Sequence, residues 1–171
     1  MIKKGFFVVE EINTNQYLTF RLGEEVFGLQ IAKVREVLDY TSVTRVPQTP
    51  AFMRGVINLR GTVVPVVDMR LKFGLEETDW TVNTCIIIVE VELDNETTIL
   101  GALADSVQEV MELGPEQIEP APKIGTRLKT EFIKGMGKVA EKFVILLNID
   151  RVFSSEELVL VTDMQEAAEA I

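Results

Sequence analysis

Short runs of apolar residues, broken by polar residues and glycines, recur along the chain in a pattern typical of β-strands. Apolar positions over 17–20 and 26–31 flank a turn at Gly23 and Glu24, which predicts a β-hairpin. Further strands are predicted over 63–67, 85–91, 97–103 and 143–149, with a tight turn at Asp94 and Asn95 between the second and third of these.

Three segments show helical features instead. Apolar residues over 31–38 recur at near-helical intervals with charged residues between them, which predicts a short amphipathic helix. Residues 105–111 predict a helical turn. Ser154 followed by Glu157 is a capping box, and it predicts the start of a C-terminal helix.

Residues 52–73, FMRGVINLRGTVVPVVDMRLKF, hold the strongest local pattern in the chain. Gly61 predicts a turn between a first strand and the valine-rich run at 63–67. Pro65 cannot donate to a strand ladder, so it places this run at a sheet edge or a barrel rim. Arg60 has no evident structural role, because its charge needs solvent, a carboxylate or a partner.

The second half of the chain repeats the first. At an offset of 73 residues, the matched positions are Gly28, Val34, Glu36, Val37 and Pro47 with Gly101, Val107, Glu109, Val110 and Pro120. At an offset of 80, they are Phe52, Gly55, Val64, Val67, Asp68 and Phe73 with Phe132, Gly135, Val144, Leu147, Asn148 and Phe153. Arg60 meets Ala140, so the repeat itself requires no arginine.

Each copy supplies about five short strands, too few for a wide sandwich and suited to a small closed barrel. We therefore predict a mainly β protein of two small barrels that pack together and leave a groove between them. The barrels span residues 16–160, with a boundary near the acidic, turn-rich segment 74–83. Residues 1–15 are predicted to be a flexible extension, and 161–171 a helical acidic tail.

Composition and charge restrict the classes of partner. The 171 residues are 47% hydrophobic and 26% charged, which is ordinary for a folded protein. A net charge of −10 with dispersed basic residues disfavours nucleic acids and anionic membranes. The apolar runs are far shorter than the roughly 20 residues that cross a bilayer, so we expect a cytoplasmic protein without direct membrane insertion.

Little of the sequence suggests catalysis. The chain has no histidine, which excludes Ser-His and Cys-His nucleophiles and imidazole metal sites. Cys85 is expected to be a small buried apolar residue, and Trp80 a hydrophobic plug between the two halves. Asp68 and Asp105 are candidates for an acid/base pair, yet a strand end and the start of a helical turn explain them. We predict no enzyme activity, metal or cofactor.

Three stretches together resemble one family. GLQIAKVREVL, GVINLRGTVVPVVDMRLKFG and GALADSVQEVMELGPEQIEPAP are similar to the CheW family of bacterial chemotaxis coupling proteins, and the resemblance runs from about residue 16 to 160. It implies two packed, five-stranded β-barrels of SH3-like fold, with short helices and a C-terminal helix. It also implies a non-enzymatic adaptor.

The resemblance implies two partners: the cytoplasmic tip of a methyl-accepting chemoreceptor, which is a helical hairpin, and the regulatory domain of the histidine kinase CheA. The receptor tip is expected in the groove between the barrels, at membrane-associated receptor arrays. No kinase-facing residues are assigned beyond the hairpin at Gly23 and Glu24 and nearby apolar positions. The receptor-facing residues it implies are Val34, Glu36, Arg60, Val107 and Val110.

Each assignment has a structural alternative. Val34, Val107 and Val110 also fit a hydrophobic core, and Glu36 fits the solvated face of a helix. Arg60 is the strongest candidate because it breaks the repeat.

Two other functions are alternatives to this adaptor role. One is a CheW-like regulatory module of a larger signalling protein; the initial Met1 and the lack of an ATP-binding or receiver motif favour a free-standing adaptor instead. The other is a small-molecule-binding or catalytic barrel, which a polar pocket with clustered carboxylates would indicate.

Overall fold

The computed structural model describes residues 15–77, 79–121 and 129–169, which are mainly β as predicted. The strands are β1 Gln16–Leu22, β2 Glu25–Gln30, β3 Val34–Asp39, β4 Met53–Leu59, β5 Thr62–Asp68, β6 Cys85–Leu93, β7 Glu96–Ala104, β8 Ser106–Glu112, β9 Ile118–Glu119, β10 Ile133–Val139 and β11 Lys142–Leu147. The α-helices are α1 Met69–Lys72, α2 Ile149–Val152 and α3 Ser155–Glu169, and 3₁₀ turns form at Ile31–Lys33, Pro115–Gln117 and Thr130–Phe132.

The strands form two curled sheets. Each half of the sequence repeat contributes its first hairpin, β1–β2 or β6–β7, to the sheet formed mainly by the other half. The first sheet has the order β8-β1-β2-β11-β10-β9, and the second has the order β3-β6-β7-β5-β4. The first sheet thus has a sixth, two-residue strand beyond the five expected. In the first sheet, β1 pairs with β8 and β2 with β11; in the second, β3 pairs with β6 and β5 with β7. Each sheet therefore takes strands from both sides of segment 74–83, where the sequence repeats were divided.

Two glycines show that the repeat is structural. Gly28 lies opposite Leu146 in the parallel pair of β2 and β11, and Gly101 lies opposite Val66 in the parallel pair of β7 and β5. An added Cβ at Gly28 would come within 2.9 Å of Leu146 Cδ2, and one at Gly101 within 2.7 Å of Ile86 Cγ2. Glycine is needed at both positions because a neighbouring strand's side chain fills the space.

The offset of 80 also holds in three dimensions. The β4–β5 ladder is irregular between Met53 and Gly55, and the β10–β11 ladder between Ile133 and Gly135. The backbone N–H of Asp68 donates to Phe52 at 2.7 Å, and that of Asn148 donates to Phe132 at 2.8 Å. The helices α1 and α2 follow at the same offset.

Three apolar clusters stabilise this arrangement. The largest lies where the two sheets and α3 meet, and it includes Phe20, Phe27, Val67 and Ile87. A smaller cluster around Val66 and Ile88 belongs to the second sheet. The third belongs to the first sheet and contains Tyr17, Leu113, Val144 and Leu146. The two sheets therefore share one core as well as having their own.

The predictions of hairpins and of the C-terminal helix are confirmed. Gly23 (φ +65°) and the pair Asp94 and Asn95 (φ +54° and +64°) form the turns between β1 and β2 and between β6 and β7. At the start of α3, the Ser154 N–H donates to Glu157 Oε1 at 2.9 Å, and the Glu157 N–H donates to Ser154 Oγ at 3.1 Å.

Two helix predictions are wrong. Residues 31–38 form a single 3₁₀ turn followed by β3, and residues 105–111 form a bend followed by β8. The spacing misled because β3 is irregular in its pairing between Val34 and Glu36, and a bulge interrupts the β1–β8 ladder. Bulges shift the side-chain alternation by one residue and produce intervals of three or four.

Three further expectations need correction. Trp80 is 60% exposed and its ring centroid lies 6.1 Å from that of Tyr40, so it is not a plug between the halves. Cys85 is half-buried at the start of β6. Pro65 lies in β5, which is an inner strand; it is accommodated because β7 pairs with β5 only from Val66 onward.

Candidate functional site

The hairpin between β4 and β5 presents Arg60. Leu59 pairs with Thr62, which leaves Arg60 and Gly61 as a two-residue turn with φ of +51° and +88°. Such φ angles match the type I′ turns that suit the twist of a hairpin. The Gly61 N–H donates to Asn58 Oδ1 at 2.8 Å, which fixes the turn and holds the Arg60 side chain away from the core.

Arg60 is paired with Glu36 of β3. Its Nη2 lies 2.6 Å from Glu36 Oε2 and 2.9 Å from Oε1. The Arg60 side chain is 71% exposed and that of Glu36 26% exposed, so the pair sits at the surface. Glu36 lies on β3 and Arg60 in the turn that follows β4, and these are the two edge strands of the second sheet, so the curl of the sheet brings the two residues together.

An open groove of about 890 Å³ lies beside this pair. Its apolar lining includes Leu59, Val63, Val64, Ile88 and Ile99. Its polar lining includes Arg35, which forms its own ion pair with Glu90 at 2.9 Å, and Thr162 and Gln165 of α3. The groove therefore combines apolar and threonine side chains with the paired charges of Arg35, Glu36 and Arg60 and the further carboxylate of Glu96.

The other three predicted site residues lie elsewhere. Val34 is 7% exposed and belongs to the shared core, opposite Val89. Val107 is partly buried against the same core from β8, whereas Val110 is 45% exposed on β8. Among the described residues that line the groove, none of the three valines occurs.

Cys85 is adjacent to Val107. The Val107 backbone is within hydrogen-bonding reach of the Cys85 thiol, so the first residues of β8 lie near the start of β6. Burial raises the pKa of this thiol, and the nearby Asp39 carboxylate raises it further, while the hydrogen bond lowers it. The start of β8 thus lies beside the second sheet, near the first residue of β6 and far from the β6–β7 turn at the other end of that strand.

Most groove residues were not predicted as site residues, and Arg35, Thr162 and Gln165 are among them. Arg35 lies between the predicted site residues Val34 and Glu36, in a segment that was predicted to be a helix. Gln165 follows Val161 by four residues, a position where a helix packed on a core usually carries an apolar side chain. A polar residue in that position was the available signal for a second role.

The two candidate acid/base carboxylates have separate structural roles. Asp68 is fully buried, accepts the Arg70 N–H at 3.0 Å as the N-cap of α1, and pairs with Arg54 at 3.0 Å. Asp105 accepts from Arg70 Nη1 at 2.8 Å and from the Gly23 N–H at 2.7 Å. Both carboxylates thus fix the backbone around α1 and the first hairpin.

Residues 15–77, 79–121 and 129–169 contain neither a cluster of metal-ligating side chains nor a long apolar helix. No group of three or more acidic or cysteine side chains in this part of the chain could hold a metal ion. Within the same residues, no helix has both the length and the apolar character needed to cross a bilayer.

Two curled β-sheets related by an internal repeat, with a helix packed against the second, define a double-barrel β protein. The sequence model of the CheW-like domain family matches residues 16–157 of the chain. The chain is 39% identical to "Chemotaxis protein CheW" of Klebsiella aerogenes over 152 residues, 89% of each chain, and 31% identical to "Probable chemotaxis protein CheW" of Rhizobium etli over 88% of this chain and 96% of that one.

A solved structure agrees with this match. The scaffolding protein TtCheW from Thermoanaerobacter tengcongensis is 34% identical in sequence and superimposes with a TM-score of 0.73, covering 84% of this chain and 90% of that chain. The chain belongs to the CheW-like domain family.

Proposed function

We propose that the protein is a non-enzymatic chemotaxis adaptor, which joins the cytoplasmic tip of a methyl-accepting chemoreceptor to the regulatory domain of the histidine kinase CheA and so controls the kinase. It would act in the cytoplasm, at membrane-associated receptor arrays. The observation that carries the proposal is the Arg60–Glu36 pair beside an open groove in a chain of this family.

The groove suits a helix better than a small molecule. An open groove of about 890 Å³ can receive one side of a helix that is about 10 Å wide. Its apolar walls can receive the apolar side of that helix, and the paired charges can bind polar groups at the rim. Enclosed sites that bury most of a small ligand are less open.

We assign the receptor tip to this groove, with Arg60 and Glu36 at its rim. The groove is lined by the second sheet and α3, not by both barrels as the sequence led us to expect. Val107 and Val110 on β8 are kept as proposed receptor-facing residues apart from the groove, and Val110 is exposed there. Val34 is buried, so its proposed role in receptor binding is to hold β3, and with it Glu36, in place by packing in the shared core. For the kinase, the hairpin at Gly23 and Glu24 is the candidate surface.

A pull-down tests the adaptor role. The purified chain is mixed with a soluble receptor-tip fragment and the kinase regulatory domain, each carrying a different tag. A ternary complex is expected, since the two partners use different surfaces. Failure to bind either partner at micromolar concentrations would contradict the proposal.

One substitution tests the groove. Arg60→Glu places a carboxylate beside Glu36, so receptor binding should fall at least about tenfold, a loss typical for reversing one charge at an interface. Kinase binding and the circular dichroism spectrum should not change. Arg151→Glu, at an exposed arginine of α2, is the matched control and should leave receptor binding intact.

A further inference from the structure

The helix α3 forms one wall of the proposed receptor groove. Thr162 and Gln165 line the groove together with Arg60 and Glu36. The family model ends at residue 157, so this wall comes from a part of the chain that the family model does not cover. The two groove residues on α3 therefore add to the site implied by the family.

The position of α3 is fixed by several contacts. Val161 is fully buried and Met164 is 2% exposed. At the first turn, Glu157 pairs with Lys72 Nζ at 3.1 Å. Gln165 Nε2 donates to the Val63 carbonyl at 2.7 Å, three residues before β7 begins to pair with β5. The amide of Gln165 thus supplies a partner for the β5 backbone at the groove.

The two groove residues of α3, Thr162 and Gln165, are polar and uncharged. The Thr162 hydroxyl donates to the Leu158 carbonyl at 3.0 Å and stays close to its own helix. Since Gln165 uses its N–H on Val63, its Oε1 is left to accept from a ligand. The helix Ser155–Glu169 has five acidic residues and no basic one, although none of the five lines the groove. On the opposite wall, Arg35 and Arg60 are each paired with a glutamate, so the further carboxylate of Glu96 gives these groove charges and their partners a net negative sign.

From this geometry we propose that α3 is a specificity wall: it selects a partner helix that presents lysine, arginine or another hydrogen-bond donor toward Thr162 and Gln165. The proposal rests on the proposed function, in which the groove holds a receptor helix. Complementary charge across an interface rejects wrong partners and sets the association rate.

Opposite charges at one position test the wall. Thr162→Lys and Thr162→Glu both place a long side chain at the same half-buried helix position and differ in the sign of its charge. Binding of a soluble receptor-tip fragment is measured by titration calorimetry. We expect Thr162→Lys to weaken binding about tenfold and Thr162→Glu to leave it within about twofold or strengthen it. The loss with lysine should shrink at high salt, since salt screens exposed charges.

A neutral variant tests the acceptor. Gln165→Met keeps the length of the side chain and removes the amide, and receptor binding should fall severalfold. Val159→Met and Val159→Lys, at a position on α3 that is 58% exposed and does not line the groove, are the matched controls and should bind as the unmodified chain does. Thermal unfolding of each variant shows whether the fold is kept.

The outcomes separate this proposal from the proposed function. If Arg60→Glu abolishes binding while the Thr162 variants bind alike, the groove is the receptor site and α3 is not its specificity wall. Tighter binding by Thr162→Lys than by Thr162→Glu would also overturn the proposal, because the wall would then select acidic partners. If Arg60→Glu binds normally, the assignment of the groove itself fails.

Discussion

The Arg60 side chain binds Glu36 through one guanidinium nitrogen, Nη2, which contacts both carboxylate oxygens at 2.6 and 2.9 Å. An exposed ion pair of this kind contributes about 0–1 kcal/mol to stability. The backbone of Arg60 has a φ of +51°, and a left-handed conformation costs a non-glycine residue about 1–2 kcal/mol. The two terms cancel or leave a small deficit, so stability alone does not account for an arginine in this turn.

We expect Arg60→Asn to separate stability from binding. Asparagine tolerates a left-handed backbone, so the free energy of unfolding should stay the same or rise by up to about 1 kcal/mol. Receptor binding should weaken, because the guanidinium is lost. Urea unfolding and calorimetric titration with the receptor fragment measure the two effects.

Ala140 provides the control for this substitution. It occupies the repeat-equivalent turn with a φ of +58°, and Ala140→Asn should change stability in the same direction without affecting receptor binding. Equal binding by the Arg60→Asn variant and the unmodified chain would remove Arg60 from the site.

Gly55 is predicted to be the least replaceable glycine in the second sheet. A Cβ there would lie within 2.1 Å of the Thr44 carbonyl oxygen, and its φ is +143°. Gly55→Ala should therefore cost more than about 3 kcal/mol and prevent normal folding. Gly61 has a φ of +88°, but no atom lies within 4 Å of the position that a Cβ would take. Gly61→Ala should therefore lower the free energy of unfolding by only about 1–2 kcal/mol. Urea unfolding compares them, and similar losses would contradict the steric argument.

Lys72 should stabilise α3 through both charge and aromatic contacts. Its Nζ lies 5.6, 5.3 and 5.9 Å from the ring centroids of Phe52, Phe132 and Phe153, and it pairs with Glu157. Lys72→Met keeps the side-chain length and should cost about 1–3 kcal/mol, because both interactions disappear. Hydrogen exchange should increase most in the first turn of α3.

Lys33→Met is the matched control for the Lys72 variant. Lys33 forms an ion pair with Asp150 at 2.9 Å, and no ring contact of its ammonium group is found within the described residues. Its replacement should cost at most about 1 kcal/mol. If both methionine variants unfold at the same urea concentration, the aromatic rings add nothing measurable.

The repeat made much of the fold predictable, because the repeated residues occupy positions where the geometry allows few alternatives. Gly28 and Gly101 face a neighbouring strand, and Phe73 and Phe153 follow the short helices α1 and α2. The exchange of the β1–β2 hairpin between the sheets was not predictable in this way. Strand pairing across more than 80 residues depends on contacts that a local hydrophobic pattern does not encode.

The candidate site was predictable only where one residue departed from the repeat. Arg60 stood out against Ala140, and its pairing with Glu36 follows from the curl of the sheet. Gln165 gave a weaker signal, because glutamine is common in helices and its target, the Val63 carbonyl, belongs to a strand 102 residues away. Val34 and Val107 could not be separated into core and surface, since strands that contact two cores lose their alternation.

Asp68 should be more sensitive to alanine than to asparagine. It caps α1 and pairs with Arg54, and its repeat equivalent is Asn148. Asp68→Asn keeps an oxygen to accept the Arg70 N–H, whereas Asp68→Ala loses the cap and leaves Arg54 with a weaker set of partners, so alanine should cost about 3 kcal/mol or more. Thermal and urea unfolding give the difference.

The control for Asp68 is Asn148→Ala. Asn148 makes no side-chain cap at the start of α2, so its loss should be below about 1 kcal/mol. A larger loss at Asn148 than at Asp68 would show that the caps do not account for the difference between the repeats.

Cys85 should react slowly with thiol reagents at neutral pH. Burial, followed by the Asp39 carboxylate, raises the pKa of its thiol, and only the thiolate reacts with iodoacetamide. The midpoint of labelling against pH should therefore lie above the value of about 8.5 for a free cysteine. Because the folded state holds the proton more tightly, this group's contribution to stability is present below the unfolded pKa and declines as the pH rises toward the folded one.

Asp39→Asn separates the two causes of this shift. Removing the carboxylate should lower the labelling midpoint, but burial remains, so the midpoint should stay above that of free cysteine. Glu36→Gln removes a carboxylate from the same strand, which does not act on the thiol, and should leave the midpoint in place. A midpoint below that of free cysteine in the unmodified chain would mean that the Val107 hydrogen bond outweighs burial.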